Sequence, residues 1–262
     1  MNDKELKFIK LANYLFKNNW IHFNKLDPGW TDNYKGDEKI FAIVIRTLIC
    51  NDKNSKHFFD EINGFKGVLN HYTLKTELEE WLQDKLSKYS LGTGKGSHRD
   101  NRHKLSTPRT IREYMDLSGP NQLQFVNNIQ SFHDLMTKLK TLYCVGPLTA
   151  FDISKRLLEA ELMNHLPQEF YLTGTGEVNG IKSLYPEIRG KKYLQKMGNQ
   201  LMHKIIEKTD IPADIAYFGI EDLLCIYQKD RRYKEFLECK ISVEHYSSYL
   251  LNKKCIIERG IC

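Results

Sequence analysis

The stretch Leu142-Tyr143-Cys144-Val145-Gly146-Pro147-Leu148-Thr149-Ala150-Phe151-Asp152-Ile153 decides how the rest of the chain is read. Gly146 has no Cβ, so it suits a sharp turn where backbone meets a phosphate closely. Pro147 suits the first turn of a helix, where its missing N–H costs nothing. The orphan N–H groups of that turn then point outward, toward a phosphate oxygen. A helix over about Asn121–Leu139, with Phe125, Ile129, Phe132 and Leu135 at helical spacing, leads into the turn. A second helix leaves it and runs to about Met163, with Ile153, Leu157 and Leu158 inward. The pattern predicts a helix-hairpin-helix at about residues 135–160, with Val145, Gly146, Leu148 and Thr149 as DNA-backbone contacts. Asp152 is expected near whatever the hairpin approaches. The alternative is an ordinary corner between two helices of a helical core.

Composition sets the outer limits. A chain of 262 residues can bury a substantial core. Hydrophobic residues make up 41% and charged residues 27%, as in folded globular proteins. The net charge of +6 permits a polyanionic partner without requiring one. Cys50, Cys144, Cys225, Cys239, Cys255 and Cys262 include no C-x-x-C pair, and no signal peptide is evident. Reduced thiols in a cytoplasm, that of a host cell if the source is viral, are the simplest expectation. An iron–sulfur cluster at Cys255 and Cys262 would need a closer pair to follow, which is absent, so unrelated thiols are expected. No apolar run reaches the length of a membrane span. A monomer is expected, and no metal.

Working outward, Lys4–Asn18 reads as an amphipathic helix with Phe8, Leu11, Ala12 and Leu15 on one face. Asp27-Pro28-Gly29 marks a turn, and Trp30-Thr31-Asp32 follows it. The segment from Asp37 to Cys50 is apolar nearly all round and should be a central helix. Arg46 lies within it and needs a carboxylate or phosphate, unless it snorkels from the helix end. Helices are predicted near Ser55–Phe65 and Lys75–Tyr89. Residues 91–108 form a Gly-rich basic loop, a solvated segment or a clamp on an anion.

After the hairpin come Gly174, Gly176 and Gly180, whose backbone N–H groups could form an anion-binding nest. Lys191–Lys208 reads as a helix that Asp210-Ile211-Pro212 terminates. Gly219–Arg232 reads as a helix with Glu221, Leu224, Cys225 and Gln228 along one stripe. Glu221 and the arginines at its far end also fit a helix-dipole role alone. One or two short strands remain compatible with the pattern, but no large sheet.

The hairpin resembles that of DNA glycosylases, which commonly read Leu-Pro-Gly-Val-Gly-x-x-Thr-Ala. Leu142, Val145, Gly146, Thr149 and Ala150 match, while Tyr143 and Cys144 replace the proline and first glycine. Leu148 stands where bifunctional glycosylases carry a Schiff-base lysine. Three features in order resemble the alpha-glutamyl/putrescinyl thymine pyrophosphorylases, a family associated with amino acid:DNA transferases and the helical domains of 5-hydroxymethyluracil DNA kinases. They are the hairpin, the segment Gly174-x-Gly176-x-x-x-Gly180-Ile181, and Glu221 through Leu224-Cys225 to Lys229 and Arg232. Trp30-Thr31-Asp32, Phe41 and Arg46 are similar to the family's opening. The resemblance spans about residues 25 to 235. The chain departs at Ile226, where the family has an acid, and Asp52 is the nearest candidate for an aspartate expected after the early arginine. There is no P-loop, so no kinase portion.

The resemblance implies a mainly α, glycosylase-like fold over residues 1–262, one domain of two lobes with a cleft. It implies an amine or amino acid displacing phosphate or diphosphate from an activated 5-hydroxymethyluracil in DNA, the base flipped from the stack. Arg46 and Arg232 would hold phosphate, and Glu221 would accept the amine proton. Gly174, Gly176, Gly180, Asp152 and Trp30 would line the substrate site. No cofactor is implied beyond a monovalent cation at hairpin carbonyls. Two alternatives stand beside this: a base-excision DNA glycosylase using Glu169 or Glu177, and a non-catalytic DNA-binding scaffold.

Overall fold

The structure is a computed structural model and describes residues 3–20, 23–25, 27–74, 77–92, 104–227, 231–238 and 240–257; side chains are not described at 226, 227, 231, 237 and 253–257. All regular structure among the described residues is helical, and no strand occurs there. The expected mainly α class is therefore what the chain adopts, without the short strands that the sequence allowed. The chain divides into two compact units. One comprises Met1–Leu26 with Pro167–Ile261, and the other Asp27–Leu166.

The continuous unit is built around α2 (Gly36–Ile49), in which every residue from Ile40 to Ile49 is buried. A helix without a polar face must be covered on all sides. Here α3 (Asp52–Glu61), α4 (Gly64–Thr73), α7 (Gln122–Asn127) and α9 (Pro147–Glu159) pack on it. Around them, α5 (Leu78–Leu86) pairs with α6 (Thr107–Ser118), and α8 (Phe132–Leu139) pairs with α9. A 3-10 turn at Gly29–Asn33 precedes α2.

The helix expected over Asn121–Leu139 is two helices. Asn121 caps α7 by accepting from the Gln124 N–H at 2.8 Å, and Ser131 caps α8 by accepting from the Asp134 N–H at 3.0 Å. The apolar spacing runs on through Ile129, but a serine followed three residues later by an acid restarts the helix. Nor is the helix expected over Ser55–Phe65 continuous: α3 ends at Glu61, and α4 begins at Gly64. Of the basic loop, Leu91, Gly92 and 104–108 are described; Lys95, His98, Arg99, Arg102 and His103 lie outside the described residues.

The discontinuous unit joins α1 (Asp3–Lys17) to α10 (Thr175–Leu184), α11 (Lys191–Lys208), α12 (Ala213–Tyr227), α13 (Arg231–Leu237) and α14 (Val243–Ile257). Its core gathers Phe8, Leu11 and Leu15 of α1 with Leu201 and Ile205 of α11 and Ile220 and Leu223 of α12. Glu5 is buried yet satisfied, since Lys204 reaches it at 2.6 Å. Near the C-terminus, α14 packs on α1. No helix of the described residues is long and apolar enough to cross a membrane.

Candidate functional site

Where the hairpin is expected, α8, a seven-residue connection and α9 follow one another. Leu139 and Leu142 anchor it inward, and the Phe132 and Phe151 rings meet edge-on at 5.8 Å. The turn is tied to α6. Tyr143 N–H donates to Glu113 Oε2 at 2.6 Å, and Thr110 Oγ1 donates to the Tyr143 carbonyl at 2.7 Å. The Arg109 guanidinium lies 4.1 Å over the Tyr143 ring.

The sharp residue is Cys144, with φ +57, and not Gly146. Gly146 is extended (φ −82, ψ 175), and a Cβ there would meet nothing. The expectation that Gly146 makes the turn is thus corrected: the left-handed conformation falls where glycosylase hairpins carry their first glycine. Cysteine holds it at a steric cost. Gly146 and Pro147 are exposed, Leu148 and Thr149 half-buried and Val145 buried. No side chain caps the start of α9.

Arg46, on α2, is only 8% exposed, which excludes snorkelling. Its Nε and Nη2 form a fork onto Asp52 at 2.6 and 2.8 Å. Nη1 donates to the carbonyls of Asp27 and Pro28 at 2.8 and 2.6 Å. Four of its five N–H donors are thereby used within the fold. Gly29 is left-handed at φ +52, and a Cβ on it would come within 3.1 Å of the guanidinium. Arg46 therefore ties the 27–29 turn to α2, which places Trp30. The Trp30 indole N–H donates to Ser55 Oγ at 3.2 Å, and its ring packs on Phe59 at 5.1 Å. These contacts give Arg46 and Trp30 structural roles within the unit.

On the same side of α2 sits Arg156 of α9, a residue the sequence reading passed over. Its Nε is buried and has no hydrogen-bond partner among the described residues. Burial, and then the Arg46 charge, hold its pKa below the ordinary guanidinium value; Asp152, Asp52 and Cys50 act the other way and do not offset them.

The segment read as a Gly-rich nest is helical. Gly176 and Gly180 lie one turn apart on α10, facing α12. A Cβ at 176 would lie 2.3 Å from Cys225 Sγ, and one at 180 would lie 2.6 Å from the Leu224 carbonyl oxygen. These glycines let two helices approach closely, so an anion nest is not what they build. Gly174 precedes α10, and its N–H donates to Glu177 Oε2 at 2.8 Å.

That carboxyl belongs to a buried cluster. Thr173 Oγ1 is 3.0 Å from Glu177 Oε1 and 3.0 Å from Glu221 Oε1. Glu177 is 2% exposed and Glu221 6%. A hydroxyl has one hydrogen to give, so Thr173 donates to one of the two carboxyls at a time.

Gly174, Gly176, Gly180 and Glu221 thus converge in one unit, with Cys225 beside them. Arg232 is exposed on α13 of that unit, its guanidinium 4.4 Å over the Tyr249 ring. Arg46, Asp152, Trp30 and the hairpin belong to the other unit. Gln228 and Lys229 lie outside the described residues, as do Cys239, Cys262 and the Cys255 side chain. Cys50, Cys144 and Cys225 are free thiols. No group of three or more metal-ligating side chains occurs among the described residues. Comparison with protein families, with characterised proteins and with solved structures found nothing that matches this chain.

Proposed function

We propose that the chain is a DNA base-modifying transferase. Its substrate is a uracil in DNA whose 5-hydroxymethyl group carries phosphate or diphosphate. The amine nitrogen of an amino acid or polyamine bonds to the 5-methylene carbon. The carbon–oxygen bond to phosphate breaks, and its electron pair leaves with the phosphate. The amine proton passes to a carboxylate of the Glu177–Glu221 pair. Arg232 offers positive charge to the departing phosphate.

The hairpin is the observation that carries this reading. A left-handed residue at 144, extended backbone at 146 and an uncapped α9 start make a backbone surface suited to a DNA phosphate. Such contacts position the duplex without reading its sequence. Leu148 offers no amine for Schiff-base chemistry, which favours transfer over a bifunctional glycosylase.

The test is mass spectrometry of nucleosides from the genome that encodes the chain. The reading expects a thymidine-derived nucleoside with an amine on its methyl carbon. An ordinary thymidine profile contradicts it.

A further inference from the structure

Arg156 is a half-buried arginine of the continuous unit. It lies on α9, packed against the central α2, with its Nε buried and unpartnered among the described residues. Arg46 differs in every respect, since Asp52 and two carbonyls occupy it. An arginine is costly to place in such surroundings. The fork also sits near a second guanidinium, and that second charge is held in place by the 27–29 turn.

Arg156 is half-buried, and its buried Nε has no hydrogen-bond partner among the described residues, a cost that an arriving anion offsets. A planar fork of donors matches two oxygens of one phosphoryl group. Asp52, the nearest carboxylate to Arg46, is 64% exposed and already forked, so it does not serve Arg156. Asp152 is one helical turn before Arg156, and its charge acts on the guanidinium without offsetting the burial.

We propose that Arg156 is an anion-binding residue whose fork takes the oxygens of a phosphoryl group, with the Arg46 charge adding to the local field. The binding claim stands without the transferase reading. Only the identification of the anion as the leaving phosphate rests on it; a phosphodiester of the DNA backbone is the other source.

The experiment uses the purified full chain, Arg156→Met and Arg156→Lys, with inorganic pyrophosphate and a short DNA duplex as probes. Without ligand, Arg156→Met should melt at the same temperature as the wild type or higher, because a buried, unpartnered Nε is removed. Pyrophosphate should raise the wild-type melting temperature and leave Arg156→Met unmoved, with calorimetric affinity weakened at least about tenfold. Arg156→Lys keeps the charge but loses the fork, and should fall between them. A leaving-group site gives that result. A backbone site gives no pyrophosphate binding and a DNA affinity at least about tenfold weaker in Arg156→Met. Equal binding of both probes by wild type and Arg156→Met overturns the proposal. So does a large fall in the melting temperature of ligand-free Arg156→Met, which would mark a structural residue.

Discussion

Gly176 of α10 lies so close against Cys225 of α12 that a Cβ at 176 would come within 2.3 Å of the sulfur and 3.2 Å of the Cys225 Cα. One turn along, position 180 meets the Leu224 carbonyl in the same way. The two glycines set how near α10 approaches α12. That approach lets Glu221 of α12 and Glu177 of α10 reach Thr173 from either side.

Gly176→Ala should therefore destabilise the protein by about 1–3 kcal/mol, as overpacking of a tight interface does. Gly180→Ala should cost at least as much, because a backbone oxygen yields less readily than a side chain. Urea unfolding measures both. A change within about 0.5 kcal/mol for both, the level of an inert surface substitution, would contradict the close approach.

Arg46 is predicted to matter for folding more than its partner does. Arg46→Lys loses the fork to Asp52 and at least one carbonyl bond, and should cost about 2–4 kcal/mol. Asp52→Asn should cost less, about 1–2 kcal/mol, because Asp52 is 64% exposed and the two carbonyl bonds survive. The reverse order in denaturant melts would mean that the carboxylate, and not the buried guanidinium, governs the site.

The hairpin separates stability from binding. Cys144→Gly relieves a left-handed residue and should stabilise by up to about 1 kcal/mol. Gly146→Ala should fold normally, since φ is −82 and a Cβ meets no atom. If phosphate approaches that backbone closely, the same variant should bind duplex DNA more weakly in a filter or fluorescence assay. Unchanged affinity would remove Gly146 from the DNA contact.

Glu113 links the hairpin to pH. Burial pushes its carboxyl up, but the Arg109 bond, the Tyr143 N–H and the charges of Arg109 and Arg112 together hold it below its ordinary value of 4.5. A depressed carboxyl stabilises fully above the unfolded value, and that stabilisation is lost as pH falls through the folded value. Glu113→Gln should cost about 1–2 kcal/mol at about pH 7. The gap from wild type should narrow steadily below pH 4.5. A gap that stays constant into acid would show that Glu113 does not hold the hairpin through its charge.

Much of this architecture could be read from residues in order, because α2, α11 and α1 carry their own apolar spacing. Elements whose cause lies elsewhere in the fold were harder to read. Gly176 and Gly180 look like loop punctuation until α12 is seen against them. The α7–α8 break is signalled by Ser131, but a continuous apolar period masked it. For Arg46 the sequence left burial and snorkelling both open, with Asp52 the nearest candidate acid, and gave no sign that the pair fastens the 27–29 turn. Arg156 has no local signal at all: it is one basic residue of an amphipathic helix, and only the packing of α9 on α2 isolates it. Thr173 became visible as the bridge between two acids only when both helices were in place.

Reconstituted transfer tests the central claim most directly. Duplex DNA carrying the diphosphate ester of 5-hydroxymethyluracil is incubated with the protein and a mixture of amino acids and polyamines. Its nucleosides are then weighed by mass spectrometry. The account predicts release of diphosphate, one amine joined to the methylene carbon, and loss of that product with Glu221→Gln. Recovery of the unreacted ester, or an abasic site in its place, would contradict it.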